Sequence, residues 1–266
     1  MPTYRLTLEY EGTRYHGWQE QQNARSVAGE LRLAIQDAGG EVKELGGSGR
    51  TDAGVHALAQ VAHLRLARSI DPEPFRRELN ELLPPDIHVL RVETASDRFH
   101  ARHSAVSRSY VYQISRRRTA FAKRWVWWVK RPLDTGWMDE AASRLQGMHD
   151  FRLFCERPSE QPSTKVAVEG VEVVEDGALI LVRFVASHFL WKMVRRVVGT
   201  LVKVGAGELE GEDFDRLLAA KSPRSGKGLP AEWTAPPSGL FLERVLYEGD
   251  PPLGPVRPVV PVGEEG

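Results

Sequence analysis

The sequence predicts an α+β fold, built from strands and amphipathic helices in alternation. Three observations carry that expectation. Segments of period two recur along the 266 residues, most cleanly at residues 3–10. Segments with an apolar stripe at helical spacing lie between them, opened by capping residues. Turn chemistry separates the two kinds, as in the Glu175-Asp176-Gly177 junction.

In residues 3–10, Tyr4, Leu6, Leu8 and Tyr10 share one face while Arg5, Thr7 and Glu9 share the other, the pattern of a half-buried strand. Residues 12–18 form a loop holding Arg14, Tyr15, His16 and Trp18, a mixture that suits either RNA contact or a hairpin corner. Ser26 caps a helix running to about Ala38, with Val27, Leu31, Ala34, Ile35 and Ala38 on one side. Residues 41–45 read as a short strand and residues 60–66 as its return, with Ala62, Leu64 and Leu66 together. Asp71-Pro72 opens a second helix, striped by Phe75, Leu79, Leu82 and Leu83 and stopped by Pro84-Pro85. Residues 87–92 form the next strand.

Beyond it, strands are expected at residues 104–115, 125–130, 166–174, 178–186 and 240–247. Helices are expected at residues 138–145, 187–204 and 214–220. Residues 248–266 hold five prolines and no periodicity, which predicts an extended or disordered arm. The expected organisation is residues 1–103, residues 104–247 and a proline-rich tail at residues 248–266.

Composition bounds the function. An apolar share of 41% and a charged share of 27% are those of a soluble globular protein. No apolar run reaches the roughly 20 residues of a membrane span. The start alternates like a strand and lacks the apolar block of a signal peptide. The single Cys155 excludes an internal disulfide framework and a cysteine cluster for zinc. A cytoplasmic location without membrane partners is the expectation. Net charge is zero, yet residues 98–133 carry ten Arg or Lys and no acid, and residues 177–207 carry five and no acid. A neutral chain with two such tracts can present one positive face.

The chemistry centres on residues 46–55, GGSGRTDAGV. Four glycines make a loop built for close approach, and Arg50 and Asp52 stand two apart within it. An Asp beside Arg stays ionised, as a carboxylate nucleophile must. A hairpin loop with a surface ion pair has the same composition.

The run GSGRTDAGVHALAQVAHL resembles the signature of the tRNA pseudouridine synthase A family. Four further blocks fall in the family's order: YRLTLEYEGTRYHGWQEQQNARSVAGEL, RFHARHSAVSRSYVYQI, FLWKMVRRVVGTLVKVG and APPSGLFLERVLY. Together they span most of residues 4–247. The resemblance implies conversion of uridine to pseudouridine at tRNA positions 38, 39 and 40, in the anticodon stem-loop. It implies two similar α/β halves sharing an extended, mostly antiparallel sheet, with helices on one face and a central active-site cleft. It implies a homodimer with one tRNA reaching across both subunits.

On that resemblance Asp52 is the catalytic aspartate. The reaction has no redox change and no group donor, so no cofactor and no metal is expected. The carboxylate can add to uracil C6, attack the sugar carbon or remove a ribose proton; the residues do not choose. Arg50 can pair with Asp52, contact a phosphate or fill the space of a flipped base. Tyr110 matches the family's active-site tyrosine, where its ring can stack on uracil and its hydroxyl can help remove the C5 proton. Tyr112 shares its strand face, and a core aromatic fits both. Arg195 matches the arginine that pairs with the aspartate, while Arg196 points about 100° away. Gly199, one turn on, leaves room for a partner. His188 departs from the small residue expected there, and residues 157–165 run short against the family pattern.

Arg14, Arg116, Arg117, Arg118, Lys123 and Arg124, with Arg50 and Tyr110, are the expected tRNA contacts. The tryptophans of residues 115–131 are expected in the core or a subunit interface. The histidine spacings give little support for a metal. A silent RNA-binding protein and a nucleosidase-type hydrolase are the competing functions. The joint presence of Asp52, Tyr110 and Arg195 favours the isomerase.

Overall fold

A computed structural model describes residues 1–264. In chain order the elements are β1 (Thr3–Tyr10), α1 (Val27–Asp37), β2 (Val42–Gly47), β3 (His56–Leu66), α2 (Pro72–Leu82), β4 (Ile87–Ala95), β5 (Ala105–Ser115), β6 (Trp127–Trp128), α3 (Thr135–Ser143), β7 (Gly147–Asp150), β8 (Lys165–Asp176), β9 (Leu179–Ala186), α4 (Met193–Gly205), α5 (Gly211–Leu218) and β10 (Leu240–Tyr247). Helices and predominantly antiparallel strands in this arrangement make the fold α+β.

The chain divides into two compact units. The first comprises Met1–Val106 and Phe241–Asp250. Its sheet runs β4-β1-β3-β10, with β2 also paired to β3. Leu6, Leu8 and Leu64 are fully buried, so the period-two pattern faces the core as its spacing requires. Ser26 caps α1, its hydroxyl accepting from the Gly29 N–H at 3.2 Å. Asp71 occupies the cap position of α2 without such a bond, and Pro72 supplies the helical start. One edge of β3 is divided between two partners. β2 pairs with it from Ala62 to Leu66, and β10 pairs in parallel at His56 and Ala57. The glycine-rich loop connects β2 to β3 across that gap.

The second unit comprises Ser107–Leu240 and Pro251–Gly266. Its strands run β5-β9-β8-β7, with β6 parallel to β5. Gly177, at φ 53°, turns β8 into β9. Phe184 and Phe214 are fully buried.

The structure departs from the sequence expectation in several places. Residues 240–247 were expected with the second half, but parallel pairing with β3 groups Phe241–Asp250 with the first unit. The long helix begins at Met193 instead of residue 187, because Lys192 adopts a left-handed backbone, φ 61°, that an α-helix cannot contain. The strand expected over residues 125–130 contracts to Trp127–Trp128, and β7 had no clear period-two signal.

The proline-rich tail, expected to be extended or disordered, is extended and docked. Val262 is buried with Ala122, Val126, Ala178, Leu179 and Leu181, and Val256 and Val260 pack beside them. Gln113 Oε1 accepts from the Val259 N–H at 2.6 Å, and Arg183 Nη1 donates to the Gly254 carbonyl at 2.8 Å. Prolines leave few backbone donors, so side chains of the unit supply much of the pairing, beside the Ala178 N–H that donates to the Val262 carbonyl at 3.0 Å. Val262→Asp is expected to cost more than about 2 kcal/mol, because a carboxylate replaces buried apolar surface. Urea denaturation checks this, and a loss below about 0.5 kcal/mol, the ordinary surface range, would contradict the docking.

Candidate active site

The loop carrying Asp52 is pinned from both sides. Ser48 Oγ donates to Gln60 Oε1 at 2.7 Å, and Gln60 Nε2 donates to the Gly49 carbonyl at 3.0 Å. Gln60 Nε2 also reaches Tyr10 Oη at 3.4 Å, and that hydroxyl lies 2.8 Å from Thr51 Oγ1. Burial pushes the Tyr10 phenol well above its ordinary range, so it remains a donor at neutral pH. On the other side, the Trp18 N–H donates to the Thr51 carbonyl at 3.2 Å and the Gly54 N–H donates to the Tyr15 carbonyl at 3.2 Å.

Thr51 is thus held through both hydroxyl and carbonyl, and this fixes its neighbours. Arg50 is exposed and Asp52 half-buried. The Val55 N–H closes a turn onto the Asp52 carbonyl at 3.1 Å. Gly17 makes the close approach possible. It sits at φ 90°, and a Cβ there would lie 2.3 Å from the Thr51 carbonyl oxygen. Among the described residues Arg50 makes no ion pair, so its charge points to solvent from the loop. Arg14 is likewise exposed, at the end of a 3-10 turn.

The second unit holds Tyr110 and Arg195. Tyr110 is 8% exposed and meets Phe189 edge-on, with ring centroids 4.9 Å apart. Tyr112, 0% exposed, donates its hydroxyl to the Pro236 carbonyl at 2.7 Å. Burial pushes the Tyr112 phenol far up, which removes it as a base. The strand period cannot separate the two tyrosines, and the fold commits the Tyr112 hydroxyl to Pro236. Tyr112→Phe orphans a carbonyl and is expected to cost about 1–2 kcal/mol of stability with turnover retained. Thermal unfolding with a turnover assay checks this; lost turnover at full stability would contradict it.

Arg195 lies in the first turn of α4. Its Nε donates to the Ala235 carbonyl at 2.8 Å, and its own carbonyl accepts from the Ala235 N–H at 3.1 Å. The room left by Gly199 is filled by the chain's own segment at Trp233. Arg196 is buried and committed elsewhere, with Nη1 donating to the Cys155 carbonyl at 2.6 Å and Nη2 pairing with Glu156. His188 is exposed beside Ser187.

The basic tract is only partly available. Arg116 is paired with Glu175, 2.5 Å away, whose carboxyl it and Thr135 hold down at about 2. Arg117 Nε donates to the Gly263 carbonyl at 2.8 Å, so it serves the tail. Arg118, Lys123 and Arg124 are exposed. Trp128 is also exposed, with Arg118 and Lys130 at 5.8 and 5.4 Å from its ring centroid, which excludes the core of the two places expected for it, core or subunit interface. Phe121 in the same turn is 93% exposed.

Glu44, His63 and His100 bring ligand atoms within 4.8 Å of one another. Their hydrogen bonds suit a metal poorly. His63 Nδ1 accepts from the Ala101 N–H at 3.3 Å, and His100 Nδ1 accepts from the Arg102 N–H at 3.2 Å. A ring whose Nδ1 accepts carries its proton on Nε2, where a metal would need a lone pair. His63 Nε2 lies 3.1 Å from Glu44 Oε1, whose other oxygen takes Arg65 Nη1 at 2.8 Å. Burial and the neighbouring His63 and His103 push the His100 imidazole down, which keeps it neutral.

Sequence reasoning missed Gln60, Tyr10 and Gly17 as supports of the loop. Gln60 had a signal: it is a polar residue on the face shared by Ala62, Leu64 and Leu66.

Comparison with known proteins bears on this loop and on α4. A family model described as tRNA pseudouridine synthase matches residues 7–104 and 141–248. Asp52 and Arg195 fall inside the matched segments and Tyr110 between them. The tRNA pseudouridine synthase A of Rhodopseudomonas palustris is 44% identical over 251 residues, 93% of this chain and 100% of that protein. Those of Nitrobacter winogradskyi and Brucella ovis are 43% and 39% identical, over 95% and 93% of this chain and 98% of each relative. Among solved structures, a Cbf5-Nop10-Gar1 complex aligns at 11% identity and a TM-score of 0.32, over 74% of this chain and 54% of its own. The family match spans most of the chain and includes the pinned GRTDAG loop, and relatives align along nearly their whole length: this chain belongs to the tRNA pseudouridine synthase family, a family of isomerases.

Proposed function

We propose that this chain converts uridine to pseudouridine at positions 38, 39 and 40 of tRNA, with Asp52 as the essential carboxylate. The observation that carries the reading is the fixed presentation of Asp52, half-buried between an anchored Thr51 and a closing turn at Val55. A carboxylate that must meet one atom of a flipped nucleotide gains from such preorganisation.

The reaction breaks the N1–C1′ bond, rotates the uracil and joins C5 to C1′. The C5 proton leaves and N1 gains one, so atoms and charge balance within the nucleotide and solvent. Asp52 takes part by adding to C6, by attacking C1′ or by removing a ribose proton, each of which needs the ionised form. Tyr110 stacks on the turned base and offers its hydroxyl near C5. Arg195, held by Ala235, orients the carboxylate, and Arg50 contacts a phosphate or fills the vacated stack. Arg14, Arg118, Lys123 and Arg124 contribute phosphate contacts. Arg116 and Arg117 contribute less, given their bonds to Glu175 and Gly263. Family resemblance supports a homodimer as the working form and the cytoplasm as its place. Among the described residues no helix is long and apolar enough to cross a membrane.

Mapping pseudouridine on an unmodified tRNA carrying uridines at positions 38, 39 and 40 tests the reading. Modification confined to those three positions is expected. Modification elsewhere, or release of free uracil, would overturn it.

A further inference from the structure

We propose that Trp191, with Arg157 and Lys192 beside it, is a stacking site for an unpaired base of the RNA substrate, a few nucleotides from the target. The target's placement rests on the function proposed above; the stacking site itself rests on the following geometry.

Trp191 precedes α4 and leaves 41% of its surface in water. The Arg157 guanidinium lies 5.4 Å from its ring centroid and the Lys192 ammonium 5.6 Å. These two cations sit on backbone that side chains rarely adopt, φ 50° at Arg157 and 61° at Lys192. Among the described residues only Ala220 joins them as a non-glycine with positive φ. Strained backbone persists where the surroundings over-determine it, and it gathers at ligand sites.

Here the surroundings are visible. The Glu156 N–H donates to the Trp191 carbonyl at 2.9 Å, tying the two loops together. The Glu156 carboxylate pairs with Arg196 and lies 3.4 Å from Lys192 Nζ. Arg196 in turn holds the Cys155 carbonyl. The only acid beside Arg157 in an ion pair, among the described residues, is the exposed Glu160, at 3.3 Å. A half-exposed indole therefore stands beside two cations, with Glu156 and Glu160 the acids paired to them among the described residues.

That chemistry fits a nucleotide. Every base has a π face, so stacking on tryptophan tolerates sequence, as an enzyme acting at three positions requires. The cations would then meet the phosphates on either side of the stacked base. Trp191 stands four residues before Arg195, at most about 15 Å along the chain, which sets the few-nucleotide distance.

The test measures KM and kcat on a tRNA transcript for wild type, Trp191→Phe, Trp191→Leu and Arg157→Gln/Lys192→Gln. Binding of a fluorescein-labelled anticodon stem-loop is read by anisotropy in parallel. Leu keeps bulk without a π face, and Phe keeps the face. Trp191→Leu is expected to raise KM and the RNA dissociation constant about tenfold, with a smaller change in kcat. Trp191→Phe should recover most of that loss. The double charge removal should flatten the salt slope by about one for each phosphate no longer neutralised, and so by about one to two. Equal behaviour of Phe and Leu, or unchanged RNA affinity in Trp191→Leu, would overturn the stacking site; the latter is also the outcome if this face serves a protein partner. A wild type that binds RNA but forms no pseudouridine would overturn the proposed function instead, and the anisotropy series would still decide on Trp191.

Discussion

Asp52→Asn is expected to lower pseudouridine formation by at least about 10⁴-fold while tRNA affinity stays within a few-fold of wild type. The amide is nearly isosteric with the carboxylate, so the turn from Asp52 to Val55 and the anchoring of Thr51 are preserved. What is lost is the anionic oxygen, which every route open to this residue requires. On the proposed function, RNA affinity is expected to draw on the exposed cations and aromatic rings, which the substitution leaves in place. Filter binding and single-turnover assays on the same preparation separate the two quantities. A parallel fall in affinity would mean that Asp52 holds the loop together and is not a group reserved for chemistry.

Gly199→Ala is expected to destabilise the protein by about 3 kcal/mol, with a loss of turnover beyond what unfolding explains. In an open helix interior this change stabilises by roughly 0.5–1 kcal/mol, because glycine is the costlier residue there. The packing of α4 reverses the sign. A Cβ on Gly199 would lie 1.6 Å from the Trp233 carbonyl oxygen, 2.7 Å from its carbonyl carbon and 3.4 Å from the Ala235 nitrogen. These are backbone atoms, so no side chain can swing aside. The segment that must move is the one that holds Arg195 through two hydrogen bonds at Ala235. Urea denaturation gives the stability term, and kcat under fully folded conditions gives the effect on the arginine. A more stable variant would show that the helix face is open.

These two residues mark how far the sequence could be read. Asp52 could be singled out because its loop is marked locally, by four glycines and one Arg-Thr-Asp run. The helix starts at Ser26 and Asp71-Pro72 were legible for the same reason: capping is a contact between residues a few positions apart. The start of α4 was not. The apolar stripe continues back through Leu190, but Lys192 takes a left-handed backbone that no side chain announces.

Long-range partners were also hidden. Periodicity puts Tyr110 and Tyr112 on one strand face and cannot tell that Tyr112 bonds Pro236, 124 residues away. Composition marked the tail as extended or disordered, and its fixed place comes from Gln113, Arg117 and Arg183, which nothing local ties to it. Charge pattern alone gave the three arginines at 116–118 equal standing; the fold commits the first to Glu175 and the second to the tail.

The most direct measurement uses unmodified tRNA with tritium at C5 of its uridines, exposed in parallel to wild type and Asp52→Asn. Tritium release by wild type, none by the mutant and no free uracil is the expected result. It would establish C5 substitution that depends on the Asp52 carboxylate. Equal release by both proteins, or tRNA binding by wild type without release, would contradict the assignment of Asp52 as the essential carboxylate of a tRNA pseudouridine synthase.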